Sequence, residues 1–294
     1  VGERILYATD LRGQARLYRQ LLFIVGREDV KTLILGGSLF AYQAGSDLAE
    51  KQRQFLERTF IPVLDDILDV GDVRVLIHPG NQDLRHPTLN AVRKWTRLHP
   101  HRAELIDDGL FKMALSVSVS AYPYVPPTPC PVKDWEKWDD EQSMSIPSSF
   151  LEGMASAESG GLAPVMLSST GAADTMRGDL EARALGLEQL RFVFVCHAPP
   201  SDTGLDLHDV GEHAGSKAVR AFLERTQPLV SLHGHLSESP RLSNKFAERI
   251  GNTLAVNPGQ VQEGEDGTCS YVVFDIDDPI RSMRHSLYGV FRED

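Results

Sequence analysis

Short apolar runs alternate with amphipathic stretches through the first third of the chain. Residues 4–9 read as a buried strand that stops at Asp10. Over residues 14–26, Leu17, Leu21, Leu22 and Val25 recur on one helical face. Residues 31–35 predict a second strand, closed by Gly36 and Gly37. Residues 47–68 predict a long helix that Pro62 should kink or split, because proline lacks the N–H of the helical ladder. Residues 73–77 predict a third strand, running into Pro79, Gly80 and Asn81. This rhythm is the signature of a parallel α/β sheet.

The rhythm changes after Asp83. Residues 87–98 predict a helix, and residues 103–107 and 111–119 predict strands of a more mixed sheet. Residues 122–170 then lose all periodicity. Pro123, Pro126, Pro127, Pro129 and Pro131 open that stretch, Trp135 and Trp138 follow, and residues 156–161 are rich in serine and glycine. It predicts a long surface insertion within one domain spanning residues 1–294. The pattern returns with a helix over 172–187, a strand over 191–196 ending in His197, a helix over 216–225 and a strand over 228–232. Residues 253–256 run into Asn257, Pro258 and Gly259, and residues 270–275 and 282–291 alternate like antiparallel strands.

Composition narrows the function classes. The chain has 294 residues, 41% hydrophobic and 24% charged, enough for a substantial core. Its formal charge of −11 argues against general nucleic-acid binding, since an acidic surface repels phosphate backbones. No apolar run reaches the roughly 18 residues of a membrane span. Cys130, Cys196 and Cys269 are scattered and odd in number, unlike a disulfide framework or a Cys-rich zinc site. They predict a reducing intracellular compartment, the cytoplasm first. The chain starts at Val1 rather than Met, so organelle import after loss of a targeting segment stays open.

The predicted strand ends carry the chemistry: Asp10, Gly36 with Gly37, Asn81, His197 and His235. In α/β sheets, sites form beyond the carboxyl ends of strands, so these distant residues are expected to converge. Asp, Asn and His are oxygen and nitrogen donors suited to Zn, Mn or Fe. Other polar residues have plainer roles. His78 and His233 read as core or rim histidines, and Asp83 as a carboxylate holding its own turn or a neighbour. His208 and His213, with Asp202, Asp206, Asp209 and Glu212, read as exposed charge or a loop shaping the mouth of the site. Trp135 and Trp138 either form a partner-binding patch or pack the insertion onto the body. Cys196 and His197 should face opposite sides of their strand, which argues against a Cys–His nucleophile pair. No P-loop or dinucleotide fingerprint is present.

In order and spacing, Asp10-Leu11-Arg12-Gly13, Gly36-Gly37, Gly80-Asn81-Gln82-Asp83, His197 and Gly234-His235-Leu236-Ser237 resemble the calcineurin-like metallophosphoesterase superfamily over nearly the whole chain. The resemblance implies two mixed β-sheets packed face to face and flanked by helices, a four-layer αββα sandwich. It also implies a two-metal centre that hydrolyses phosphate esters with a metal-activated water. This chain departs from that pattern. Arg12 and Ser237 stand where histidine ligands are expected, Gly37 where the carboxylate bridging both metals is expected, and Gln82 where the catalytic histidine is expected. Only Asp10 remains for one metal. Asn81, His197 and His235 remain for the other.

Each departure has a consequence. Two-metal hydrolysis needs a bridge to hold the ions about 4 Å apart, and glycine cannot supply it. Gln82 can donate a hydrogen bond but cannot titrate near neutrality. Arg12 is expected to stand in for a lost cation by pairing with Asp10. The residual donors are neutral, so the expected cofactor is none, or one weakly bound divalent metal (Mn, Zn or Fe) on Asn81, His197 and His235. Two functional readings follow. One is a pseudoenzyme that binds a protein partner, through the 122–170 insertion, or a phosphate-bearing small molecule. The other is a one-metal phosphoesterase acting on a phosphomonoester or phosphodiester, with Arg12 binding phosphate in place of the second metal.

Overall fold

A computed structural model describes residues 3–40, 47–114, 116–140, 146–168, 174–208, 211–260 and 267–292. In chain order the strands are β1 (Arg4–Ala8), β2 (Thr32–Gly36), β3 (Arg74–His78), β4 (Ala103–Leu105) and β5 (Gly109–Ala114). Next come β6 (Val117–Tyr122), β7 (Glu152–Ser156), β8 (Leu162–Met166), β9 (Phe192–Cys196) and β10 (Val230–Leu232). Then follow β11 (Ala247–Ile250), β12 (Thr253–Val256), β13 (Val272–Asp275), β14 (Arg284–His285) and β15 (Gly289–Val290). One sheet has the order β15-β14-β13-β1-β2-β3-β4 and the other β11-β12-β10-β9-β6-β5, while β7 and β8 form a separate hairpin. The strands β1 to β4 are mutually parallel, as are β6, β9, β10 and β12, and antiparallel strands finish the edges.

The period-two alternation of strand side chains builds the layers. Leu6 and Ala8, Leu33 and Leu35, and Val75 and Ile77 face Leu17 and Leu21 of helix Ala15–Arg27 and Leu64 and Ile67 of helix Ile61–Val70. The intervening Ile5, Tyr7, Ile34 and Leu76 face Val193, Val195, Val230 and Leu232 of the second sheet. Beyond that sheet, Phe192, Phe194 and Cys196 pack on helices Met176–Ala184 and Lys217–Thr226. The order is helix, sheet, sheet, helix: the expected four-layer sandwich. Cys196 lies in the outer layer, away from His197.

Three expectations need correction. The long helix around Pro62 is not split: Leu48–Phe55 continues through a wide π turn, Leu56–Phe60, into Ile61–Val70. Pro62 sits in the first turn of the last segment, where its missing N–H costs least, and the wide turn absorbs the mismatch. Residues 111–119 are not one strand but parts of the antiparallel pair β5 and β6. The 122–170 stretch is less a surface excursion than a strap with buried anchors. Residues 141–145 and 169–170 of it, 172–173 of the next predicted helix, and Asp209 lie outside the described residues.

The anchors are specific. The buried Asp139 carboxylate caps helix Lys217–Thr226, accepting from Lys217 N at 2.8 Å, Ala218 N at 3.4 Å and the Ser216 hydroxyl. Asp134 accepts from Arg85 N and Ser156 N, both at 2.7 Å. Lys133 and Glu136 form an ion pair of 2.7 Å with both side chains 0% exposed. The Trp135 indole N–H donates to Asp83 O at 2.7 Å, and the Arg85 guanidinium lies 4.1 Å from its ring centroid. Trp135 therefore packs the insertion onto the body. Among the described residues, no helix is long and apolar enough to cross a membrane.

Candidate functional site

The parallel strands of both sheets end at the same edge of the sandwich, and the predicted residues converge there. Asp10 follows β1, Ser38 follows β2, Asn81 follows β3, His197 follows β9 and His235 follows β10. Hydrogen bonds lace the loops together. Asp10 N donates to Gly37 O and Arg12 N to Ser38 O, both at 2.9 Å, and Gly234 N donates to His197 O at 3.0 Å. Asp10, Arg12, Ser38 and His235 hold left-handed backbone conformations, with φ of 56°, 44°, 49° and 67°. Each non-glycine residue of this kind costs about 1–3 kcal/mol unless its surroundings enforce it, and such residues cluster at functional sites.

Asp10 is fully buried. Its Oδ2 accepts from Thr9 Oγ1 and from His235 N, both at 3.1 Å. Among the described residues, its Oδ1 has no hydrogen-bond partner. Burial raises the Asp10 pKa, and the Arg12 charge opposes the rise. The Arg12 guanidinium approaches Oδ1 to 3.6 Å, an ion-pair contact longer than a hydrogen bond. It donates instead to Ser237 Oγ at 3.2 Å. The direct pairing of Arg12 with Asp10 is therefore not met: the two lie beyond hydrogen-bond reach in a longer ion-pair contact, and Arg12 bonds Ser237 instead.

His197 is buried with both ring nitrogens engaged, Nδ1 with Gly36 O at 2.9 Å and Nε2 with Ser38 Oγ at 2.8 Å. A carbonyl can only accept, so Nδ1 carries the proton and Nε2 accepts from the Ser38 hydroxyl. Burial pushes the His197 pKa down to about 3. The His235 pKa is also lowered, by burial and then by His197; its ring lies 5.6 Å from that of His197 and lines the adjoining cavity. Asn81 Oδ1 lies 3.4 Å from Ser38 Oγ, too far to compete for the one hydroxyl proton. Gln82 lines the cavity with its Oε1 buried and, among the described residues, unpartnered.

Gly37 has no room for a bridging side chain. A Cβ there would lie 2.8 Å from the Gly80 backbone and 2.7 Å from His197 Nδ1, so no side chain fits. Ser38 supplies the side chain that bonds His197 and lies beside Asn81, and sequence reading missed it. The available signal was a polar residue directly after the glycine pair. Serine, like glycine, cannot bridge two metals as a carboxylate does.

The remaining candidates have structural roles. Asp83 is buried and clamps two loops, accepting from Leu39 N at 2.8 Å, Phe40 N at 3.0 Å and Gly80 N at 2.9 Å. Burial raises its pKa to about 7. The His233 ring meets Cys196 O at 2.9 Å, Ala198 O at 2.8 Å and Ser231 Oγ at 2.6 Å. His78 Nδ1 lies 2.7 Å from Ile106 O. Asp206 is buried in its loop and pairs with His213 at 2.7 Å. His208, Glu212 and His213 border a cavity of ≈ 960 Å³ that also exposes Arg12, Asn81, Gln82 and His235. Among the described residues, no three or more His, Cys, Asp and Glu side chains are placed to hold a metal ion. Among the described residues, both His197 ring nitrogens are engaged and Arg12 places its charge beside Asp10, an arrangement unlike a pair of open metal sites.

No protein-family model matches the chain, and no curated protein matches it. Solved structures do match its shape. The protein TT1561 of Thermus thermophilus aligns with a TM-score of 0.60 at 14% identity, covering 98% of this chain and 100% of the other. A dimetal phosphatase from Danio rerio aligns with a TM-score of 0.54 at 12% identity, covering 94% and 93%. The fold is of the metallophosphoesterase type.

Proposed function

We propose that this protein is a metallophosphoesterase-fold pseudoenzyme, a binding scaffold that does not run two-metal hydrolysis. One observation carries the reading: several side chains that would face metal are engaged with one another instead. Arg12 bonds Ser237 and faces Asp10, and Ser38 bonds His197. The cavity above them supports binding without turnover, of a phosphate-bearing small molecule or a partner segment. A single-metal phosphoesterase is the second reading, favoured by the buried, unpartnered Asp10 Oδ1 and by the cavity-facing His235. In it, Asn81, His197 and His235 would hold the ion, and His197 would first have to release Ser38.

The test is metal analysis of protein purified without chelator, with hydrolysis of bis(p-nitrophenyl) phosphate measured in added Mn or Zn. No stoichiometric metal and no turnover are expected. Stoichiometric metal, with turnover abolished by His235→Ala, would replace the first reading with the second.

A further inference from the structure

The helices that cover the first sheet carry their charge in stripes. Residues 61–73 hold Asp65, Asp66, Asp69 and Asp72 and no lysine or arginine. Residues 91–103 hold Arg93, Lys94, Arg97 and Arg102, with His99 and His101, and no carboxylate. The two segments are neighbours. Asp65 of helix Ile61–Val70 accepts from Trp95 Nε1 at 2.9 Å and pairs with His99 at 3.4 Å. Trp95 belongs to helix Asn90–Thr96. Arg102 donates to Leu68 O at 2.5 Å and Gly71 O at 2.6 Å, closing the carboxyl end of the first helix. Arg93 turns away to Asp107. Those contacts engage Asp65, Arg93, His99 and Arg102. Asp66, Asp69, Lys94 and Arg97 are exposed, and among the described residues their charged groups have no partner.

The free groups repeat one pattern with opposite sign. Asp66, Asp69 and Val70 stand at the i, i+3, i+4 spacing of one helical face, and Lys94, Arg97 and Leu98 stand at the same spacing. Val70 is 49% and Leu98 73% exposed. An anionic stripe and a cationic stripe thus lie side by side, each ending in an apolar side chain left in water. This arrangement selects the occupant. A nucleic acid or an anionic membrane would meet the aspartates, and a partner of either single sign would be repelled by one stripe. A second copy of this chain presents both stripes. Rotated by a two-fold axis between the helices, it sets its cations on these aspartates and its aspartates on these cations. We infer that the face formed by helix Ile61–Val70 and residues 90–98 docks a second copy of this chain in an isologous, charge-matched dimer. Val70 and Leu98 lose water there, and the paired charges fix the register. The inference is independent of whether the Asp10 site turns over.

The test is sedimentation velocity of the intact protein from about 1 to 200 µM at low salt. A monomer–dimer equilibrium is expected, with the dimer weakened roughly tenfold or more in about 0.5 M NaCl. Lys94→Glu with Arg97→Glu makes both stripes acidic, and Asp66→Lys with Asp69→Lys makes both basic. Each variant alone should stay monomeric. Mixed in equal amounts they should form a heterodimer, because each then meets its complement. A chain carrying all four substitutions should dimerise again, and should not pair with wild type. All four positions are exposed, and urea midpoints confirm that each variant is folded. A wild-type monomer throughout the range overturns the inference. So does a dimer that either reversed pair leaves intact, which places the contact on another face. Folded variants that stay monomeric when mixed, with no recovery in the four-fold variant, overturn the charge matching and the inference with it.

Discussion

Replacing Arg12 with methionine tests whether a guanidinium does a cation's work at Asp10. The two charges are 3.6 Å apart, with Asp10 0% and Arg12 25% exposed at the side chain. At an effective dielectric of about 20, Coulomb's law gives an attraction of about 5 kcal/mol. Water reaching Arg12 screens about half of that, leaving a coupling of about 2 kcal/mol. The burial is lopsided, so the effect should be too. Arg12→Met strands a buried carboxylate and should cost about 2 kcal/mol. Asp10→Asn leaves a cation that water can solvate and an amide oxygen still able to accept from His235 N, so it should cost less than about 1 kcal/mol. The double variant should be about as stable as Asp10→Asn alone. Urea unfolding at pH 7 with chelator present, fitted as a double-mutant cycle, measures the coupling. A coupling below about 0.5 kcal/mol, or an Asp10→Asn variant less stable than Arg12→Met, would refute the reasoning.

Asp139→Ala should lower stability by about 2–3 kcal/mol, seen as a fall of roughly 4–6 °C in Tm, because it uncaps helix Lys217–Thr226; Asp139→Asn should recover part of the loss. Glu136→Gln should cost about 3 kcal/mol in urea unfolding by leaving the Lys133 ammonium buried, and adding Lys133→Met should lessen that cost. His285 donates to Pro258 O at 2.8 Å and accepts from Leu287 N and Tyr288 N, and burial lowers its pKa from 6.5 to about 4. The unfolded chain therefore binds its proton first as pH falls. The stabilisation, up to about 3 kcal/mol, is complete above pH 6.5 and lost between pH 6.5 and about 4. His285→Gln should flatten the urea midpoint over that window relative to wild type.

The layered fold was legible because strand burial here has a clear period. The helix-facing residues Leu33 and Leu35 bracket the sheet-facing Ile34, and glycine or polar residues punctuate each strand end. The convergence of Asp10, Asn81, His197 and His235 followed from the same punctuation. Ser38 was not legible, because the choice between two adjacent residues depends on which one aims a Cβ at open space. That is fixed by how closely Gly80 approaches Gly37. The insertion misled for a related reason. Proline and glycine erase periodicity without exposing the chain, and Asp134 and Asp139 are buried against partners that lie far away in sequence.

The bond between Arg12 and Ser237 also bears on the evolutionary history of the site. Placing histidine at position 12 alone would remove the charge beside Asp10 and the donor to Ser237, before any ion could compensate. Placing it at position 237 alone would crowd the guanidinium. Introducing a carboxylate at position 38 alone would take from His197 Nε2 the hydroxyl proton it accepts and set a second negative charge near Asp10. Each solitary step toward a two-metal set is expected to lower stability, and only the combined change would offer a second cation a place. The site is held by epistasis, so a lineage that acquired this arrangement does not readily leave it one substitution at a time.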